Sequence, residues 1–85
     1  MGKTIYTGAQ SVVAQCLIEA RRKSGLTQVQ VAALIDRPQS VISMIETGQR
    51  QVTVLEFVAL MRAMGRDAAE AFATVADKIP ENLEV

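Results

Sequence analysis

The chain has 85 residues, 49% of them hydrophobic but only 4% aromatic, with one Cys, no His and a formal net charge of zero. That is enough for one small domain, residues 1–85, with a core of Val, Leu, Ile, Ala and Met. It lies near the lower limit for folding unaided, where a second copy of the chain would help. A catalytic centre has little to draw on: the chain lacks His, a Gly-rich phosphate loop, a GxSxG motif and carboxylate pairs flanking an apolar pattern. The expectation is a protein that is not an enzyme, with no cofactor and no metal. Cys16 lies among Val13, Leu17 and Ala20 and reads as a core thiol, since one Cys can form neither an internal disulfide nor a zinc site. No stretch approaches about 18 consecutive apolar residues, and no basic segment precedes a long apolar run, so the expected location is the cytoplasm, away from any membrane.

Charge is unevenly spread. Residues 20–50 hold Arg21, Arg22, Lys23, Arg37 and Arg50 against Asp36 and Glu46, whereas residues 51–85 hold Arg62, Arg66 and Lys78 against six carboxylates. The middle can face phosphate and the acidic end solvent or a partner; solvated helix faces would account for the same pattern.

In chain order, Met1 to Tyr6 shows no helical pattern and reads as an arm. Thr7 with Gln10 offers a capping box, with Ser11 a competing cap, before a helix carrying Val13, Cys16, Leu17 and Ala20. Arg21, Arg22 and Lys23 suit the negative end of that helix, Gly25 ends it, and Leu26 can pack back as a staple. A second helix starts at the cap Thr27, with Gln30 placed to reach back to the cap's own N–H and Val31, Ala32 and Ile35 facing inward. Asp36, Arg37 and Pro38 break it, because proline disfavours the helical region for the residue before it. A third helix begins at or just after Pro38, with Ile42 and Ile45 inward, and ends at Gly48. Thr27 to Gly48 is therefore a helix-turn-helix, too short to stand without flanking helices. Thr53 with Glu56 caps a fourth helix bearing Val54, Phe57, Val58, Met61 and Met64. Asp67 with Glu70 caps a fifth, over about residues 67–79, with an apolar stripe of Ala68, Phe72, Val75 and Ile79 ended by Pro80. Glu81 to Val85 reads as a frayed tail. Five helices and no strand signal make an all-α bundle the economical fold.

The order Arg21, Gly25–Leu26–Thr27–Gln28, Val31–Ala32, Arg37–Pro38–Gln39–Ser40, Ile42–Ser43, Ile45–Glu46, Gly48, Arg50, Phe57 and Met64–Gly65 resembles the phage repressor and Cro-type, or xenobiotic-response-element (XRE), helix-turn-helix family. The resemblance spans about residues 17–65. It implies a compact five-helix lambda-repressor-like domain that binds double-stranded DNA and regulates transcription, with the helix from about Pro38 to Thr47 in the major groove. By position it implies that Gln39 and Ser40 read bases, that Met44 faces the groove one turn later, and that Gln28 meets a phosphate. Arg37 belongs to the same surface, and Ser43, Thr47, Gln49 and Arg50 line its backbone side. Glutamine can bond adenine N6 and N7 together, whereas Met44, where family members often carry a basic or amide group, offers apolar contact such as to a thymine methyl. Asp36 stands where the family usually has glycine, and Asp tolerates the left-handed region better than most residues.

The implied protein is a homodimer on a palindromic site. Phe72 and Val75 can serve either the domain's own core or a two-fold interface, and the residues leave both open. The alternative function is an antitoxin-like module whose acidic C-terminal half holds another protein, with DNA binding secondary.

Overall fold

The computed structural model describes residues 3–79, with side chains from Ser11 onward. Five helices follow one another: α1 (Lys3–Lys23), α2 (Gln28–Leu34), α3 (Gln39–Glu46), α4 (Val54–Ala63) and α5 (Ala68–Lys78), with no strand among the described residues. They enclose one core, in which Leu17 and Ala20 of α1, Val31 and Ala32 of α2, Ile42 and Ile45 of α3, Phe57, Leu60 and Met61 of α4, Met64 and Val75 meet. α2 packs chiefly on α3, while α5 lies across α1 and α4. No helix among the described residues is long and apolar enough to cross a membrane.

Helix starts follow the caps. Thr27 Oγ1 accepts the Gln30 N–H at 3.1 Å while Gln30 Oε1 accepts the Thr27 N–H at 2.9 Å, a complete capping box. Thr53 and Glu56 form a second, at 3.1 and 3.0 Å, and Asp67 Oδ1 accepts the Glu70 N–H at 3.0 Å to start α5. Pro38 is the N-cap of α3, with extended ψ, so the helix begins just after it.

Helix ends share a single device. At the ends of α1, α2, α3 and α4 an N–H reaches back to the carbonyl five residues earlier (Leu26 to Arg21, Arg37 to Ala32, Gln49 to Met44, Arg66 to Met61), around a residue with positive φ. Three of those residues are glycines. The fourth is Asp36, at φ 57°, the one non-glycine in that conformation among the described residues. Its place as the C′ residue of α2 explains why the break at Asp36–Pro38 is a tight turn rather than a loop.

Three expectations need correction. Thr7 does not start α1, since the helix already runs from Lys3; extending a nucleated helix is easier than starting one, and no proline intervenes from Lys3 to Thr7. Thus Lys3 to Tyr6 are helical rather than an arm, while Met1, Gly2, Pro80 and the tail from Glu81 lie outside the described residues. In α4 the buried row is Phe57, Leu60, Met61 and Met64, and Val54 is 71% exposed, because the i, i+3, i+4, i+7 row that meets α1 and α5 begins a turn later than the cap. In α5 only Val75 is buried, at 5% exposure, whereas Phe72 is 56% exposed with its ring edge against Phe57 at 6.3 Å between centroids. Cys16 is half-buried at the core's margin, and its thiol is pushed up from the ordinary value first by burial and then by Glu19, with Lys78 opposing.

Candidate nucleic-acid interface

α3 is short, and its two faces differ. Ile42 and Ile45 are buried, whereas Gln39, Ser40 and Thr47 are exposed and Ser43 and Met44 are half-buried. At 3.6 residues per turn, positions 39, 40, 43, 44 and 47 share the face turned away from the core. Arg37, in the turn that Asp36 makes, is exposed, and its guanidinium donates to the Asp36 carbonyl at 3.3 Å.

Behind this face a hydrogen-bonded chain runs through three helices. Arg21 at the end of α1 donates from Nε to Glu46 Oε2 at 2.6 Å and from Nη2 to Glu46 Oε1 at 3.0 Å, and from Nη1 to the Leu26 carbonyl at 3.1 Å. Glu46 Oε1 also accepts from Gln28 Nε2 at 2.8 Å, and Gln28 Oε1 accepts from Gln39 Nε2 at 2.7 Å. The Glu46 side chain is only 8% exposed. Its hydrogen bonds raise the Arg21 pKa above the ordinary value, against the cost of burial. Bidentate pairing of this kind fixes geometry as well as charge.

The C-terminal side of α3 is closed by its own backbone and hydroxyls. Thr47 Oγ1 donates to the Ser43 carbonyl at 3.0 Å, and the Met44 carbonyl accepts the N–H groups of Gln49 at 2.9 Å and Arg50 at 3.2 Å. Gln49 is exposed in the following loop. Arg50 donates to both oxygens of Glu56, at 3.0 and 2.7 Å, and to the Gln51 carbonyl. The Arg50 guanidinium and then the Thr53 N–H hold the Glu56 carboxyl down at about 2, and Glu56 raises the Arg50 pKa in turn.

Of the expected site residues, Gln28 and Gln39 are joined directly, Ser40, Ser43, Met44 and Thr47 share their helix face, and Arg37, Gln49 and Arg50 occupy the flanking turns. The five cations counted in residues 20–50 are not one free patch: Arg21 and Arg50 are engaged in ion pairs, while Arg22, Lys23 and Arg37 are exposed. Sequence reasoning overlooked the role of Glu46. Its sign and its place one residue after Ile45 were legible, but nothing along the chain ties it to Arg21, 25 residues away.

The model of a helix-turn-helix family matches residues 17–70. An XRE-family like protein from Pseudomonas syringae pv. tomato str. DC3000 is 33% identical over 92% of this chain and 95% of its own, with a TM-score of 0.81. The chain belongs to the XRE-type helix-turn-helix family, a family of DNA-binding regulators. The same fold occurs in the clp gene regulator ClgR from C. glutamicum, at 18% identity over 87% of this chain and 96% of that one, TM-score 0.74. It also occurs in the restriction-modification controller protein C.Esp1396I, solved as a tetramer with its natural 35 base-pair operator, at 22% identity over 84% and 93%, TM-score 0.73. No curated protein matches the chain.

Proposed function

We propose that this single-domain chain is a sequence-specific transcription regulator that binds double-stranded DNA in the cytoplasm as a homodimer and catalyses no reaction. The observation that carries the reading is the outer face of α3: polar residues led by Gln39 and Ser40 stand exposed at the helix N-terminus while Ile42 and Ile45 anchor the opposite face. A helix held in this manner can enter the major groove with its first residues against base edges. Gln39 and Ser40 read bases, Met44 makes apolar contact, and Gln28, Arg37, Ser43, Thr47, Gln49 and Arg50 serve the sugar-phosphate backbone.

A reading head this small covers few base pairs, so specificity calls for two heads with half-sites about 34 Å apart. Support for a dimer comes from α4 and α5, where Val54 and Phe72, both more than half exposed, line an apolar groove with Val13, Val58 and Ala69. Large apolar side chains clustered at a surface mark an interaction site. In the antitoxin-like alternative a second protein would be held by the acidic C-terminal half, where Asp67 and Glu70 line a separate groove between α5 and α1. Co-purification of a second polypeptide in stoichiometric amount would favour that alternative; a self-associating chain alone supports the dimer.

The test is selection of bound duplexes from random sequence, followed by affinity measured against salt. Enrichment of a palindrome is expected, with affinity falling by about 0.9 log units per tenfold rise in salt for each phosphate neutralised, and Arg37→Gln should flatten that slope by about one phosphate. No enriched sequence together with salt-indifferent binding would overturn the reading.

A further inference from the structure

The chain of bonds from Arg21 to Gln39 has a direction, and one residue sets it. A carboxylate has no proton to give, so only the NH2 end of Gln28 can face Glu46. The carbonyl of Gln28 is then turned toward Gln39, and Gln39 must answer with its own NH2. What remains for Gln39 to present outward is its carbonyl oxygen and one N–H. That donor and acceptor side by side match adenine, which offers an N6 donor and an N7 acceptor in the major groove; guanine offers two acceptors, N7 and O6.

We infer that Glu46, whose side chain is only 8% exposed at the margin of the outer face of α3, is a positioning residue for base selection: through Gln28 it fixes which way round the Gln39 amide sits, and so selects adenine over guanine. The inference rests on the reading of Gln39 as a base reader. Glu46→Gln tests it, because the substitution keeps the shape and removes the one-way polarity. The new amide has one oxygen for Arg21 and must place its NH2 against one of two Arg21 donors. The Nε contact is 2.6 Å and the Nη2 contact 3.0 Å, so the oxygen should take the tighter place and the NH2 the place that now faces Gln28. Gln28 then turns its carbonyl to that NH2, offers its own NH2 to Gln39, and Gln39 turns two N–H groups outward, toward the acceptor pair of guanine.

The experiment measures the protein, Glu46→Gln, Gln39→Ala and Gln28→Ala against a panel of single-base variants of the selected duplex, with thermal melts to establish that each is folded. The unmodified protein should prefer adenine at the position that Gln39→Ala flattens. Glu46→Gln should lower the adenine-to-guanine affinity ratio there by about tenfold or more, within what one bidentate pair discriminates. In a Gln28→Ala background, Glu46→Gln should leave that ratio unmoved. A flat response to Gln39→Ala would overturn base reading itself. A position that responds to Gln39→Ala but keeps its full adenine preference in folded Glu46→Gln would overturn the inference while leaving base reading intact. Should Glu46→Gln not fold, the unmodified protein decides: scalar couplings across hydrogen bonds from Gln39 Nε2 to the Gln28 side-chain carbonyl, and from Gln28 Nε2 to Glu46, are expected, and their absence overturns the inference.

Discussion

Between α1, α2 and α3, polar side chains engage one another: Arg21, Glu46, Gln28 and Gln39 form a continuous sequence of donors and acceptors inside a single chain. Across α4 and α5 the opposite holds, with Val54, Leu55 and Phe72 left open to solvent. The first region is organised before any partner arrives, so that little ordering cost falls on binding. The second keeps apolar area in water, a cost that only a covering surface relieves. A preorganised polar network thus stands beside an open apolar surface.

The sharpest way to break the comparison is to exchange a buried for an exposed position on α5. Val75→Glu should unfold the protein in urea or heat, with a loss above about 4 kcal/mol, since it puts a carboxylate into the core. This outcome removes Val75 from any interface, although the sequence left it eligible. Leu55→Glu, at a position 82% exposed, should cost less than about 0.5 kcal/mol; combined with Phe72→Glu it should yield folded monomers by sedimentation and weak operator binding. A double variant that still sediments as a dimer would move the interface elsewhere.

The head can be probed without touching the fold. Gln39→Ala should leave stability within about 0.5 kcal/mol in denaturant titrations while discrimination at one base position in each half-site drops by about 1 to 3 kcal/mol. Caps come next in size: Thr27→Ala and Thr53→Ala should each cost about 1 kcal/mol in the same titrations. Similar losses at both would show that the head's start and the open face's start are equally dependent on local hydrogen bonds.

The smallest expected effect concerns Glu56. Its carboxyl sits at about 2 in the folded chain against an ordinary 4.5, so its contribution to stability is complete above 4.5 and fades as pH falls from there to about 2. Arg50 and Glu56 form their pair near the surface, where such contributions are modest and screened by salt. Glu56→Gln can keep the capping box but not the pair, and its melting temperature should therefore fall less steeply than the parent's across that pH interval. Parallel curves would remove the pair from the account.

By itself, the order of residues determined the helix-turn-helix, the two complete capping boxes and the ends at Gly25, Gly48 and Gly65, because each depends on groups three to five residues apart. Gln28, Gln39 and Ser40 came forward only through the resemblance to the XRE family, which implies their roles by position. Only the tertiary structure decided that α1 begins at Lys3, that Leu60 rather than Val54 lies in the core, and that Val75 is buried while Phe72 on the same stripe is open. A periodic pattern gives the direction of an apolar face but not where the neighbouring helix stops covering it. Arg21 shows the same limit in charge: its cation was legible as part of a basic run, but its commitment to Glu46 required α1 and α3 to be brought within hydrogen-bond reach, and that proximity comes from the shared core of Leu17, Ile42 and Ile45.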